Sequence, residues 1–220
     1  MKLSIVLFAF LAITKCSDPG PVAVDKASGS CKSLENEAYA NIQNIEVSTQ
    51  YYIDKNHYLD SAGYFFVQHL KCDSSNIDAW RQVAWMYEVK YQYQEAIETL
   101  SNGCKIHPNS FELLNYRSIL LKISGNDSDA RQGFNEAGKI ASKSLQADFE
   151  RGMLKKYLYS LANFESDQIA IDTLKAYKEH LSEGDFQEIE RKIGELDSTM
   201  FFPPNSQTQR IRENAGIRPY

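Results

Sequence analysis

The sequence predicts an all-α protein built from repeated pairs of helices, and three observations lead to this prediction. When the sequence is aligned with itself at a fixed shift, Ala62, Ala96 and Ala130 fall in one column. The spacing between successive members of this column is called here the repeat period. Apolar residues around these alanines recur at the spacing of amphipathic helices. Only 6 prolines occur, two of them adjacent near the C-terminus, so little interrupts helices in the middle of the chain.

The chain begins with a segment typical of an export signal. Met1 and Lys2 precede the uninterrupted apolar run LSIVLFAFLAIT, which has the length of a signal-peptide core and is too short to span a bilayer. A buried core helix is the alternative, but the stretch SDPGPVAVDKASGS that follows is typical of the chain after a cleaved leader. We therefore expect residues 1–16 to be a leader and the protein to be exported, either periplasmic or secreted.

Cys16 leaves the mode of processing open. It stands where a bacterial lipoprotein carries its lipidated cysteine, which would attach the protein to a membrane through acyl chains. Lys15 departs from the small residue that precedes this cysteine in such leaders. Cleavage after Ala12 or after Cys16 would instead give a soluble exported protein. No later stretch is long and apolar enough to be expected to cross a membrane.

The other three cysteines match no zinc-site spacing. An exported protein can oxidise two of them, and a disulfide from Cys31 to either Cys72 or Cys104 would join the N-terminal segment to the repeats. Alternatively, Cys72 and Cys104 are small buried apolar residues near helix ends. The sequence leaves the pairing open.

The repeat extends beyond the alanine column. Four positions later a second column holds Phe66, Leu100 and Phe134, and a third follows with His69, Gly103 and Ala137. The middle copy, written from Ile77, closely resembles the tetratricopeptide-repeat family, whose eight signature positions are occupied here by Trp80, Val83, Ala84, Tyr87, Ala96, Leu100, Gly103 and Pro108. The repeat period equals the length of one helix-turn-helix unit in that family. The alanines are small because paired helices approach closely there, and Pro108 ends the second helix.

The resemblance covers roughly residues 43–180. It implies antiparallel helix pairs stacked in a right-handed superhelix. The first copy spans Gln43 to Asn76, and the middle copy follows it. The third copy, Phe111 to Ser144, departs from the pattern at Arg117 and Ser118. The last pair of helices is made of Leu145 to Asn163 and Asp167 to His180. Residues 184–197 read as a capping helix, because one end of such a stack must meet water.

The domain organisation follows from these assignments. We expect a flexible arm over residues 17–32, the helical domain over 33–198 and an irregular tail over 199–220. The segments NGCKIHPNS and SGNDSD read as turns between helices, because small and polar residues cluster in both.

In this family the first helix of each unit lines a concave groove that binds peptides. Carried onto this chain, the groove positions are Tyr51, Asp54, Arg81, Trp85, Glu88, Asn115, Ile119, Lys122, Lys155 and Tyr159. The aromatic and apolar groove residues would provide affinity for a peptide, and the charged ones would fix the position of that peptide along the groove. Alternatively, the same residues contact the arm, the tail or long helices of this chain. The lysine and asparagine clamp that some relatives use for a terminal carboxylate is not matched at Val47, Tyr51, Arg81 and Trp85.

Other function classes find little support in the sequence. The 4 histidines are isolated and no nucleophile, phosphate-loop or dinucleotide motif occurs, so we expect no enzyme activity, no metal and no cofactor. A net charge of -5 does not favour nucleic acid as a partner. The leading hypothesis is an extracytoplasmic adaptor or scaffold that binds another polypeptide. The alternatives are an accessory subunit or cryptic helical hydrolase, and a self-assembling structural subunit.

Overall fold

The computed structural model describes residues 28–47 and 52–195, and every regular element in these ranges is helical. The prediction of an all-helical chain is therefore confirmed over this part. The helices are α1 Ser28–Val47, α2 Tyr52–Cys72, α3 Ile77–Val89, α4 Tyr93–Ile106, α5 Phe111–Ile123, α6 Asp127–Ala147, α7 Arg151–Phe164, α8 Asp167–Ala176 and α9 Glu183–Gly194, with a 3-10 turn at Lys178–His180 between the last two.

Short polar residues begin most of these helices. Each N-cap side chain accepts a hydrogen bond from the backbone N–H three positions later, which satisfies one of the donors that a helix start leaves open. The residues that do this are Asn76, Ser110, Asn126, Glu150, Ser166 and Ser182. The caps set where α3 and α5 to α9 begin, and turns of a few residues then join neighbouring helices.

Each helix packs against the next one along the chain, and α3 also contacts α5 while α7 contacts α9. Buried apolar side chains form clusters that follow one another from α1 to α9. The columns found in the sequence lie in these clusters or beside them. Ala62, Ala96, Ala130, Phe66 and Leu100 are buried, and Phe134 packs from the side.

The repeat period is visible in the backbone as well. The N–H of Gln92 bonds the carbonyl of Tyr87 at 2.9 Å, and one period later the N–H of Asn126 bonds the carbonyl of Leu121 at 2.9 Å. The turn from α3 to α4 therefore closes in the same way as the turn from α5 to α6. The small residues of the third column, Gly103 and Ala137, are both buried.

Several expected bounds differ from the structure. Helix α1 begins at Ser28, so the end of the expected arm 17–32 is helical. The expected first copy, 43–76, is covered by the end of α1 and by α2, which runs without a break over Tyr52–Cys72. Helix α4 continues to Ile106, so only the last part of NGCKIHPNS is a turn. Gly103 lies inside this helix, packed against Trp80.

The C-terminal end of the described chain is closed by α9. Its buried residues Phe186, Ile189 and Ile193 pack in the cluster formed with α7 and α8, and its other face is charged. This helix spans Glu183–Gly194, close to the predicted 184–197. The expected leader 1–16 with Cys16, and the expected tail 199–220, lie outside the described residues. Within 28–47 and 52–195, no helix combines the length and apolarity that a bilayer span requires.

A disulfide joins α1 to α2. Cys31 pairs with Cys72, and the two Cα atoms are 5.7 Å apart. Cys104 remains a half-buried thiol on α4. Of the pairings that the sequence left open, the structure therefore contains the one between Cys31 and Cys72.

Candidate binding face

Helices α5, α7 and α9 lie side by side in the same direction. Lys156 of α7 reaches Glu112 of α5 at 3.1 Å, and further along the two helices Ser160 donates to Asn115 at 2.7 Å. Beyond these, Lys122 of α5 lies over the ring of Phe164 of α7, with 5.1 Å between its Nζ and the ring centroid. Because residue numbers rise together in both helices, α5 and α7 are parallel.

The same pattern links α7 to α9. Arg151 forms an ion pair with Asp185, and Lys155 lies 3.6 Å from the carboxylate of Glu188. On the other side, Tyr116 of α5 donates a hydrogen bond to Glu88 of α3. Helices α3, α5, α7 and α9 therefore form a row, called here the lateral row, whose members are tied by polar contacts between neighbours. All the expected groove residues from Arg81 onward lie on these helices.

Trp85 is half-buried on α3. It packs against the cluster that α1, α2 and α3 form, which contains Leu59, Phe66 and Val83. The family resemblance places Trp85 at a groove-facing position. Part of its ring surface is instead used in packing against α1 to α3, and the remainder is exposed.

Trp80 has more contacts than Trp85. It packs between the cluster of α1 to α3 and the cluster of α3 to α6, and its Nε1 donates to the carbonyl of Ser74 at 2.9 Å. This agrees with the core position that the repeat pattern predicts for Trp80.

Glu88 is not at the surface. It is 2% exposed, and its carboxylate accepts the hydrogen bond from the Tyr116 hydroxyl. The family resemblance places this residue among the charged side chains of the groove, and that expectation is wrong because the side chain is buried. A buried carboxylate requires donors around it, so Glu88 acts as a polar link between α3 and α5.

The central residues of the face belong to α5. Asn115, Ile119 and Lys122 lie on one side of α5, and all three are half-buried. Asn115 is fixed by Ser160, and Lys122 is held over Phe164. Ile119 lies between them in the helix, one turn from each.

The α7 part of the face combines an aromatic ring with opposite charges. Burial raises the pKa of the Tyr159 hydroxyl, so this group is a neutral donor at ordinary pH. Lys155 and Lys192 both approach Glu188, at 3.6 Å and 2.9 Å. The hydrogen bond from Lys192 and the nearby charge of Lys155 lower the pKa of Glu188, which therefore stays ionised.

The remaining expected positions contribute less. Arg81 is exposed and pairs with Asp78 of its own helix at 2.8 Å. Tyr51 and the side chain of Asp54 lie outside the described part of the structure. The face that can be described therefore runs from Arg81 on α3 to Lys192 on α9.

Sequence reasoning missed several of the polar links. The pairs Glu88–Tyr116 and Asn115–Ser160 join residues far apart in sequence, and no local pattern identifies them. Asn76 is different, because an asparagine directly before an amphipathic segment is a helix-start signal. It caps α3 and is also within 3.1 Å of the buried His69.

The described residues hold no cluster of histidine, cysteine, aspartate or glutamate that fits a metal ion. Comparisons with known proteins find no match to this chain, whether among family models, curated proteins or solved structures.

Proposed function

We propose that this protein is an exported adaptor of the tetratricopeptide-repeat type that binds another polypeptide along the lateral row. In this proposal the helix pairs are antiparallel and stack in a right-handed superhelix, with α9 as the closing helix. The leader-like residues 1–16 support export, with or without lipid on Cys16. The function is binding rather than catalysis, in an extracytoplasmic compartment.

The observation that carries this proposal is the ordered set of contacts between α5, α7 and α9. Helices α5, α7 and α9 run in the same direction, so residues at matching positions on them can form one side. Trp85, Ile119 and Tyr159 are half-buried on successive helices of the lateral row, and Asn115 and Lys155 near the last two are held in place by partners. Rigid aromatic area with fixed polar neighbours is typical of protein interfaces.

The repeat period supports the repeat interpretation independently. The turn bonds at Gln92 and Asn126, the caps at Asn76 and Ser110, and the buried alanines at Ala96 and Ala130 each recur at this interval. A helix pair of this kind exposes one apolar side unless another pair stacks on it.

Site-specific photocrosslinking tests the proposal. A photoreactive phenylalanine analogue is placed at Ile119, and as a matched control at the exposed Glu98 on α4. Each purified protein is irradiated in an extract of the compartment that contains the native protein. We expect a defined polypeptide to crosslink at position 119 and not at position 98, and to bind the unmodified protein when purified.

The same crosslinking pattern at both positions would contradict the proposal, because it would place the contact away from the lateral row. Failure of the purified polypeptide to bind would contradict it as well. Concentration-dependent self-crosslinking through position 119 would favour the self-assembling subunit instead.

A further inference from the structure

The N-terminal half of α1 is attached to α2 and α3 by several polar contacts and one covalent bond. The disulfide joins Cys31 to Cys72 at the end of α2. Next to it, the Nδ1 of His69 lies 2.8 Å from the carbonyl oxygen of Cys31. Glu35, one turn further along α1, accepts a hydrogen bond from the side-chain amide of Asn76 at 3.2 Å.

The protonation of this cluster follows from its geometry. The Cys31 carbonyl can only accept, so the Nδ1 of His69 carries the proton. The Nε2 then accepts from the Asn76 amide nitrogen at 3.1 Å, while the Asn76 oxygen caps α3 at the N–H of Ala79. His69 is 3% exposed, so these bonds are shielded from water. The cluster therefore depends on the position of α1.

Helix α1 packs closely along α2, but few of its side chains are fully buried there. Among the α1 side chains that the structure describes, residues 30–44, Ala38 alone is buried. Tyr39 meets the edge of Phe66, with ring centroids 5.2 Å apart, and Ile42 packs from the side. Beneath α1, the α2 residues Leu59, Ala62 and Phe66 are each 0% exposed. Helix α1, with few buried side chains of its own, thus covers an apolar surface of α2.

We propose that the Cys31–Cys72 disulfide is a redox-controlled latch on α1. Both cysteines are half-buried, so a thiol reductant can reach the bond. A thiolate of a dithiol attacks one sulfur, the second thiol resolves the mixed disulfide, and two protein thiols and one oxidised dithiol result. Without the bond, α1 moves away from α2 and uncovers the surface around Phe66.

Release of α1 leaves the C-terminal helices in place. Helix α1 packs against α2 and the following helices pack against each other, so α5 to α9 keep their contacts when α1 leaves. The cluster beneath α1 also contains Trp80 and Trp85 at its side, so the movement changes the surroundings of both indoles. The latch does not depend on the partner binding proposed above.

Hydrogen exchange measured by mass spectrometry tests the latch. The full chain carries Cys16→Ser and Cys104→Ser, which leaves Cys31 and Cys72 as its only cysteines. Oxidised protein is compared with protein treated with dithiothreitol and with a Cys31→Ser/Cys72→Ser variant made in the same background. We expect exchange in α1 to rise by about tenfold or more on reduction, with α7 to α9 unchanged and protection restored by reoxidation.

Two results would overturn the proposal. If α1 is as protected in the reduced protein as in the oxidised one, non-covalent packing holds it and the bond is not a latch. If exchange rises equally in α7 to α9, the bond stabilises the whole domain. Tyr39→Ala serves as a second variant: it is expected to leave α1 protected while the disulfide is intact and to increase its release after reduction.

Discussion

Tyr91 and Gly125 lie one repeat period apart and occupy the same place in the turn from α3 to α4 and the turn from α5 to α6, both with a positive backbone φ. The angles are 60° for Tyr91 and 81° for Gly125. Glycine takes this conformation at little cost, whereas a residue with a side chain is strained by roughly 1–2 kcal/mol. The turn after α3 therefore contains strain that the turn after α5 avoids.

Replacing Tyr91 by glycine is expected to stabilise the protein. Relief of the strain exceeds the extra chain entropy of glycine, so the free energy of unfolding should rise by about 0.5–1 kcal/mol. Urea denaturation followed by circular dichroism measures this change. Gly125→Ala is the matched control and should destabilise, since no atom lies within 4 Å of the added methyl group and only the backbone is affected. A loss of stability in Tyr91→Gly would show that the ring contact with Tyr93 matters more than the strain.

Gly103 is small because Trp80 is large. A Cβ at position 103 would lie 3.1 Å from Cγ of Trp80 and 3.2 Å from Cδ1 of Leu113. One period later Ala137 packs in the same cluster as Leu114, which takes the place of Trp80. The two copies thus fill the same space with different pairs of residues.

Gly103→Ala is therefore expected to destabilise the protein by about 1–3 kcal/mol, although alanine is the better helix former. The same change made together with Trp80→Leu should cost clearly less, because the smaller side chain leaves room. A double-mutant cycle by thermal unfolding measures this coupling. Equal costs in both backgrounds would mean that the two residues do not compete for space.

Removing the Tyr116 hydroxyl is expected to destabilise the protein through Glu88. Tyr116→Phe deprives a buried carboxylate of a hydrogen bond, which should cost about 1.5–3 kcal/mol. The double variant Tyr116→Phe/Glu88→Met removes both polar groups and should recover most of that loss. Chemical denaturation of the three proteins provides the comparison. A double variant less stable than Tyr116→Phe alone would contradict this assignment.

Trp85 and Trp80 are expected to respond differently to truncation. Trp85→Ala should weaken binding of the crosslinked polypeptide by roughly 2 kcal/mol, since tryptophans at interaction surfaces are frequent hot spots. Trp80→Ala should mainly lower stability, by about 3 kcal/mol, because it packs between two clusters. Calorimetric titration and thermal unfolding separate the two effects. If Trp85→Ala unfolds the protein and leaves no binding defect in the folded fraction, the contribution of Trp85 is only to packing.

Much of the helix packing could be predicted from the sequence because small and apolar residues recur at the repeat period. Ala62, Ala96 and Ala130 identify helix contacts through their size alone, and the structure buries all three. The start of α1 could not be located in this way. This helix has only a weak apolar stripe around Ala38, and its bond to α2 joins Cys31 and Cys72, which no local pattern links.

The face was harder to predict than the helices. Spacing places Asn115, Ile119 and Lys122 on one side of α5, as observed, because helical periodicity fixes which residues share a side. Spacing does not show how deeply a side chain is buried. Glu88 has the sequence context of a surface residue, yet it is buried and accepts a hydrogen bond from Tyr116 of a later helix.

Because each helix packs mainly against its neighbours in sequence, few contacts require distant parts of the chain to meet. Chains with such local contact patterns fold quickly, and folding can start at any interior pair and spread to both sides. A ribosome or translocation channel that delivers this chain from its N-terminus would release α3 and α4 ready to pair before α9 has been made. The bond between Cys31 and Cys72, 41 residues apart, is a longer connection, and it forms once α2 has emerged.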